Sequence, residues 1–192
     1  RDLLDQVTSP LGVTAKYYYD SNGNNTKIED GKGHAYLYAY TGLNRLDTVT
    51  DPLGIAVANF DYNAFGDMVR RTDGNGAATN FSYDELHRLK TTQYPSAMLI
   101  NWSYDGNNNL KAISDSAGRT AIQNDYDLLN RIVKTNDSIL NRRLEYDYNS
   151  RNQRAEMRLF NDYIEEETVG YDYNLAGELT NITRATSSYL FD

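Results

Sequence analysis

Aromatic and polar positions alternate along this chain in short bursts, and each burst ends in the same way. An aromatic residue, one further residue and a tyrosine are followed by a run of Asp, Asn and Gly. In "NFDYNAFGDMVRRTDGNGAATNFSYDELHRL", residues 59–89, the phrase occurs twice, at Tyr62 and at Tyr83. Tyrosines in this place recur at Tyr19, Tyr40, Tyr62, Tyr83, Tyr104, Tyr126, Tyr148 and Tyr173, with spacings of 21, 22, 21, 21, 22, 22 and 25 residues, which makes eight units. Two positions before them stand Tyr17, Tyr38, Phe60, Phe81, Trp102, Asn124, Tyr146 and Tyr171. An offset of two keeps both side chains on one face of a strand and puts the residue between them on the other. Those in-between residues, Tyr18, Ala39, Asp61, Ser82, Ser103, Asp125, Asp147 and Asp172, are mostly small or acidic. The pattern predicts strands with one aromatic face and one polar face.

After each anchor tyrosine the chain enters turn chemistry, as in "YDSNGNN", "YNAFGDM" and "YDGNNNL". Asp, Asn and Gly tolerate positive φ or hydrogen-bond their own backbone. Six residues after the anchors, Leu46, Met68, Leu89, Leu110, Ile132 and Leu179 restart an apolar rhythm and predict a second strand, while Asn25 and Arg154 break it. A second set of turns falls at Gly12 in "SPLG", Gly33 in "DGKG", Gly54 in "DPLG", Gly76 in "DGNG" and Gly118 in "DSAG". Pro presets φ for the first turn position and Gly accepts a left-handed residue. Each unit therefore reads as strand, turn, strand, turn.

The expected fold is all-β: tandem β-hairpins, sixteen strands in sequence, each antiparallel to the next. At ~4.8 Å per strand such a ribbon runs on the order of 77 Å along its curve, too wide to stay flat, so a coiled sheet is expected. In "RLFNDYIEEETVGYDYN" an insertion stretches the last spacing, and the Glu165 to Glu167 run is expected to form a longer, solvated hairpin. No linker interrupts the pattern, so residues 1–192 read as one repeat array. The start at Arg1 reads as an excerpt of a longer protein.

Composition sharpens this picture. The 17 Tyr against 5 Phe and 1 Trp suit pleated, half-wet surfaces more than a deep apolar core. A formal charge of −8 argues against nucleic acid as a partner, because phosphate binding draws on clustered Lys and Arg. No apolar stretch reaches the length of a membrane span, and with no Cys there are neither disulfides nor thiol chemistry.

Candidate chemistry dissolves into the repeat. His34 sits in an inter-hairpin turn, and His87 occupies a turn position that other units fill with Gly23, Asn44, Gly66, Asn108, Asn130, Asn152 and Gly177. Neither has an evident partner for general-base work. "DSNGN" at Asp20 and "DGNNN" at Asp105 imitate the start of a calcium loop, but the twelfth position holds Gly31 and Ser116 instead of the bidentate Glu. "DGNG" at Asp73 is followed by a strand pattern, not by the helix N-terminus of a phosphate site. The many carboxylates, Asp125 and Asp127 among them, lie along a ribbon without the facing pair that glycoside hydrolysis needs. No catalytic, metal-binding or cofactor-binding residue is expected, and the chain reads as a non-enzyme. N-x-Ser/Thr sequons begin at Asn24, Asn80, Asn101, Asn136 and Asn181, and would matter only on a glycosylating route.

The recurrent Tyr-Asp followed by Gly/Asn-x-Leu, in "YDGNNNLKAI", "YDELHRLKTT", "YTGLNRLDTV" and "YDLLNRIVKT", together with the "DPLG" turns, resembles the YD-repeat or Rhs-repeat family over nearly the whole chain. Asn63, Asn149, Asn174 and Thr41 depart from the motif's Asp, and Asn124 from its aromatic. The resemblance implies a segment of a spiral β-sheet shell. Such shells enclose a C-terminal toxin or effector in bacterial polymorphic toxins and Tc toxin complexes, and animal teneurins build a related one. The protease-like core segment that follows the repeats in that family is not found in these residues, nor is a toxin domain. The chain would then be secreted or cell-surface wall of a bacterial protein, with flanking repeats and the enclosed toxin of its own parent chain as partners, and with unpaired edge strands open to edge-to-edge self-association. The alternative is a cell-surface recognition module whose exposed Tyr and Trp, beside Asn and Asp, bind carbohydrate.

Overall fold

The computed structural model describes residues 3–10, 12, 14–162 and 164–186. Leu11, within "SPLG", and Tyr163, within the long hairpin, lie outside them. The chain divides into two compact units, Arg1–Met98 and Leu99–Asp192. The described residues hold seventeen strands and no helix.

In the first unit the strands are β1 (Gln6–Thr8), β2 (Thr14–Tyr19), β3 (Asn25–Glu29), β4 (Ala35–Tyr40), β5 (Leu46–Thr50), β6 (Ala56–Tyr62), β7 (Met68–Asp73), β8 (Ala78–Tyr83) and β9 (Leu89–Gln93). Each pairs antiparallel with the next. In the second unit they are β10 (Leu99–Tyr104), β11 (Leu110–Asp115), β12 (Thr120–Tyr126), β13 (Ile132–Asp137), β14 (Arg142–Tyr148), β15 (Arg154–Asn161), β16 (Ile164–Tyr173) and β17 (Leu179–Thr186), again paired antiparallel in chain order. The architecture is the expected meander of hairpins, with seventeen strands instead of sixteen. The extra one, β1, precedes the first anchor and pairs with β2 through Gln6, Val7 and Thr8.

Neither unit has a core in the usual sense. Among the described residues only Ala58, Val169, Thr92 and Asn124 are buried, so each sheet is a single layer and not half of a sandwich. The anchor tyrosines and the residues two before them are half-buried or, at Asn124, buried. The residues between them are exposed, except Ser82, whose hydroxyl lies 2.6 Å from that of Thr91.

In five repeats cover for the aromatic face comes from an apolar side chain on the adjacent strand: Tyr17 stands opposite Ile28, Tyr38 opposite Val49, Trp102 opposite Ile113, Tyr146 opposite Met157 and Tyr171 opposite Ile182, whereas Phe60 stands opposite Arg71 and Phe81 opposite Thr92. Each repeat contributes two strands, so the rings of successive repeats stand about 9–10 Å apart, and the intervening strand fills the space.

Two local readings change. The second strands at Asn25 and Arg154 form despite the broken apolar rhythm, because the position serves through its backbone, as described below. The Glu165 to Glu167 run does lie in a longer hairpin, β15–β16, but within β16, the longest strand, where all three residues are half-buried instead of solvated. Glu165 and Glu167 stand opposite Phe160 and Leu159, with a bulge at Glu166. The carboxylates are accommodated by local partners: Thr168 Oγ1 donates to Glu165 at 2.6 Å, Asn161 Nδ2 donates to Glu166 at 3.1 Å, and Arg184 Nε lies 3.6 Å from Glu167.

Candidate functional site

The two kinds of turn distinguished in the sequence are one structure. Thirteen turns of the described residues share a backbone pattern in which the first N–H donates to the fifth carbonyl and the fourth N–H donates to the first carbonyl. They begin at Asp20, Asp30, Thr41, Asp51, Asn63, Asp73, Asp84, Tyr94, Asp105, Asp115, Asp127, Asn149 and Asn174. The fourth residue is left-handed in every case: Gly33 (φ 86°), Gly54 (80°), Gly76 (81°) and Gly118 (77°) in one set, and Asn44 (58°), His87 (59°) and Asn130 (59°) among those of the other. Gly12 (75°) closes a related turn on the Ser9 carbonyl.

The Asp of each Tyr-Asp phrase works from inside this turn. Its Oδ1 accepts the N–H groups two and four residues on, as Asp84 does from Leu86 and Arg88 and Asp105 from Asn107 and Asn109. That leaves Oδ2 for the fifth side chain: Arg88 and Arg131 donate at 2.7 Å, and Asn109 at 2.9 Å. Hydrogen bonds from the fifth side chain, and then from its N–H, hold the Asp84, Asp105 and Asp127 carboxyls below the ordinary carboxylate range. The sites that imitate calcium loops are therefore occupied by the protein's own donors. Among the described residues no cluster of three His, Asp or Glu side chains is placed to hold a metal.

Successive turns along one sheet edge are tied to each other. In each case the fifth residue of one turn reaches the fourth residue of the next. Asn24 Nδ2 donates to Asn44 Oδ1 at 2.9 Å, and the Arg45 guanidinium lies where a side chain on Gly66 would stand. Asp67 Oδ2 meets His87 Nδ1 at 2.8 Å. In the second unit Asn109 Nδ2 donates to Asn130 Oδ1, Arg131 Nη1 to Asn152 Oδ1 and Gln153 Nε2 to the Gly177 carbonyl, each at 2.9 Å. His87, read as a plain turn residue, is thus also a rung of this ladder, with its ring edge against Phe65 at a centroid distance of 4.9 Å. His34 sits in the opposite set of turns, 3.0 Å from the Asp30 carboxylate.

A second tie runs through the anchor tyrosines, each of which ends the first strand of its repeat. Tyr104 holds this place at the end of β10. The Tyr40 hydroxyl donates to the Asn25 carbonyl at 2.9 Å, Tyr62 to Leu46 at 2.8 Å, Tyr83 to Met68 at 2.9 Å, Tyr126 to Leu110 at 2.9 Å, Tyr148 to Ile132 at 2.8 Å and Tyr173 to Arg154 at 2.9 Å. Tyr19 makes the same bond to Leu4 at 2.8 Å. Apart from Leu4, every acceptor is the first residue of the preceding repeat's second strand.

The register explains why that carbonyl needs a donor. β5 and β6 pair only as far as Thr48 with Asn59, β7 and β8 as far as Arg70 with Asn80, and β13 and β14 as far as Lys134 with Glu145. The ladder between repeats therefore stops two residues short of each second strand's start. On its other side, the same strand start carries a bulge against its own hairpin partner, between Ala39 and Tyr40 for β5 and between Asp61 and Tyr62 for β7. The phenol hydroxyl replaces the missing backbone donor at this splayed corner. This latch uses the acceptor's backbone alone, so Asn25 and Arg154 serve as well as Leu46. Partial burial raises the hydroxyls of Tyr40, Tyr83 and Tyr126 above the usual phenol range.

Aromatic period and turn residues were readable from the sequence, whereas the rungs and latches were not. The one available signal was that the anchor is always Tyr and never Phe, although the position two before it accepts Phe60 and Phe81. A hydroxyl is required at the first position and not at the second.

Comparison with known proteins agrees with this geometry. The RHS Repeat family matches residues 62–97. No curated protein matches the chain. Among solved structures, TcdB2-TccC3 without its hypervariable C-terminal region is similar over 88% of this chain, with a TM-score of 0.70 and 17% identity. TcdB2-TccC3 itself follows at 89% coverage, 0.65 and 16%, and the Photorhabdus luminescens Tc holotoxin pore with a TccC3 mutation at 91%, 0.54 and 19%. The chain spans about a tenth of the length of these proteins: 10%, 12% and 9% of each. Residues 62–97 thus carry an RHS repeat, and the chain shares its hairpin fold with the TcdB2-TccC3 structures.

Proposed function

We propose that this chain is a non-catalytic wall segment: one array of about eight hairpin repeats that, within a longer parent protein, helps to enclose a C-terminal toxin or effector. The observation that carries this reading is the joint between repeats, a tyrosine latch and a turn rung repeated along the chain. Both histidines and the Asp side chains that imitate ligand loops are engaged in this joint or in the turns themselves. A wall needs stability that accumulates from neighbour to neighbour, which identical units supply without a buried core. A single layer with two solvent-facing sides also encloses the most volume for a given length of chain.

The toxin context comes from the matched structures, which are named for Tc toxin components, one lacking a hypervariable C-terminal region and one a holotoxin pore. A bacterial, secreted or surface-exposed parent follows from the same context. Its partners are then its own flanking repeats and the enclosed segment.

Protease digestion of the full-length parent tests the reading. Its C-terminal region is expected to survive digestion in the intact protein and to be degraded when expressed alone. Equal degradation in both would overturn the enclosure role. Saccharide binding lost on replacing the exposed Tyr18 or Tyr36 would support a recognition module in its place.

A further inference from the structure

One turn departs from all the others. Of the thirteen turns that share the backbone pattern, twelve begin with Asp, Asn or Thr, whose side-chain oxygen accepts an N–H from within the turn. The turn Tyr94-Pro95-Ser96-Ala97-Met98 begins with Tyr94, which has no acceptor there, so its N–H groups lack the internal cap. Its left-handed fourth residue is Ala97, at φ 64°, where the equivalent turns place Gly, Asn or His. An L-residue with a plain Cβ is strained in this region, and alanine has no polar side chain to offset the strain. Only two backbone bonds hold the turn, Tyr94 N–H to the Met98 carbonyl at 2.9 Å and Ala97 N–H to the Tyr94 carbonyl at 3.0 Å. Residues 93–98 are all exposed, with Tyr94 40% and Met98 48% accessible.

We infer that the 94–98 turn is the processing point of this chain, the place where the array opens locally and admits an endoprotease. Proteases cleave extended, locally unfolded chain, and when reclosing is fast the rate follows the population of the opened state. Without its cap and with a strained alanine, this turn opens more often than its capped relatives by about tenfold or more. The chemistry is the hydrolysis by water of one peptide bond, at Ala97–Met98 or Met98–Leu99 for an enzyme that selects a large apolar residue. Pro95 protects the bond after Tyr94. The nearest turns on either side, beginning at Asp84 and Asp105, are capped, so opening stays confined to this turn.

Limited digestion of the chain with thermolysin, followed by mass spectrometry of the first fragments, tests this. Among cuts between residues 14 and 186, the first is expected within residues 94–99. The double variant Tyr94→Asp/Ala97→Gly, which gives this turn the residue types of its relatives, is expected to slow that cut by about tenfold or more. The reverse variant, Asp51→Ala/Gly54→Ala, is expected to create a second cut within residues 51–56. A first cut elsewhere in that range, or a rate unchanged by Tyr94→Asp/Ala97→Gly, would overturn the assignment.

Discussion

The Tyr62 hydroxyl donates to the Leu46 carbonyl at 2.8 Å, across the corner where β5 and β6 part. This bond joins one repeat to the next at the point where the backbone ladder lapses. Replacing Tyr62 by Phe keeps the ring and removes only the donor. The expected loss is about 1 kcal/mol of unfolding free energy by urea titration. Tyr148→Phe should cost a similar amount, and the two should add, since they belong to different units with no shared partner. A neutral Tyr62→Phe would show that the latch contributes nothing.

Gly66 and Gly54 separate backbone strain from collision. Both are left-handed, at φ 101° and 80°, but a Cβ on Gly54 meets open space whereas one on Gly66 runs into the Arg45 guanidinium. Gly54→Ala is expected to cost about 1–2 kcal/mol, and Gly66→Ala more. In a thermal-melt cycle, Arg45→Ala should be less damaging in the Gly66→Ala background than in the parent, because the displaced guanidinium is then absent.

Acid should loosen the turns. The Asp84, Asp105, Asp115 and Asp127 carboxyls are held below their ordinary value of 3.8, chiefly by hydrogen bonds from the fifth side chain of each turn. A lowered folded-state value contributes stability that is present above the unfolded value and is lost as pH falls through the folded one. Urea midpoints are expected to be level from neutral pH down to about 5 and to fall below about 3.8. Asp127→Asn keeps the Oδ1 acceptor while removing the Arg131 ion pair, and should make that fall shallower.

Alkali should act on the latches. Burial raises the Tyr40, Tyr83 and Tyr126 hydroxyls above 10.0. Their contribution is complete below that value and is lost as pH rises through the raised ones, where the phenolate can no longer donate to a carbonyl. A Tyr40→Phe/Tyr83→Phe variant should be less stable at neutral pH and lose less on going to strongly alkaline solution.

The hairpin period was open to sequence reading because alternation is a local property: Phe60 and Tyr62 declare a shared face by their spacing alone. Turn residues were readable for the same reason. The rungs and latches depend on residues about twenty positions apart, such as Asp67 with His87 or Tyr83 with Met68, and no local pattern links them. Asn25 and Arg154 looked like breaks because an apolar side chain was sought where the structure uses a carbonyl. The insertion at Glu165–Glu167 marks the longer hairpin, whereas the half-burial of its carboxylates depends on partners outside the run. Within β16 its outer members stand opposite Phe160 and Leu159, Glu165 accepting from the Thr168 hydroxyl and Glu167 lying in ion-pair range of Arg184.

The most direct test of the wall assignment is the structure of the full-length parent protein by electron cryomicroscopy. The account predicts that the strands of residues 14–186 lie in the side of a closed chamber, continuous with neighbouring repeats, with density for the enclosed segment inside. Finding the same strands on an open, unenclosing surface, with the C-terminal region folded in solvent beside them, would contradict it.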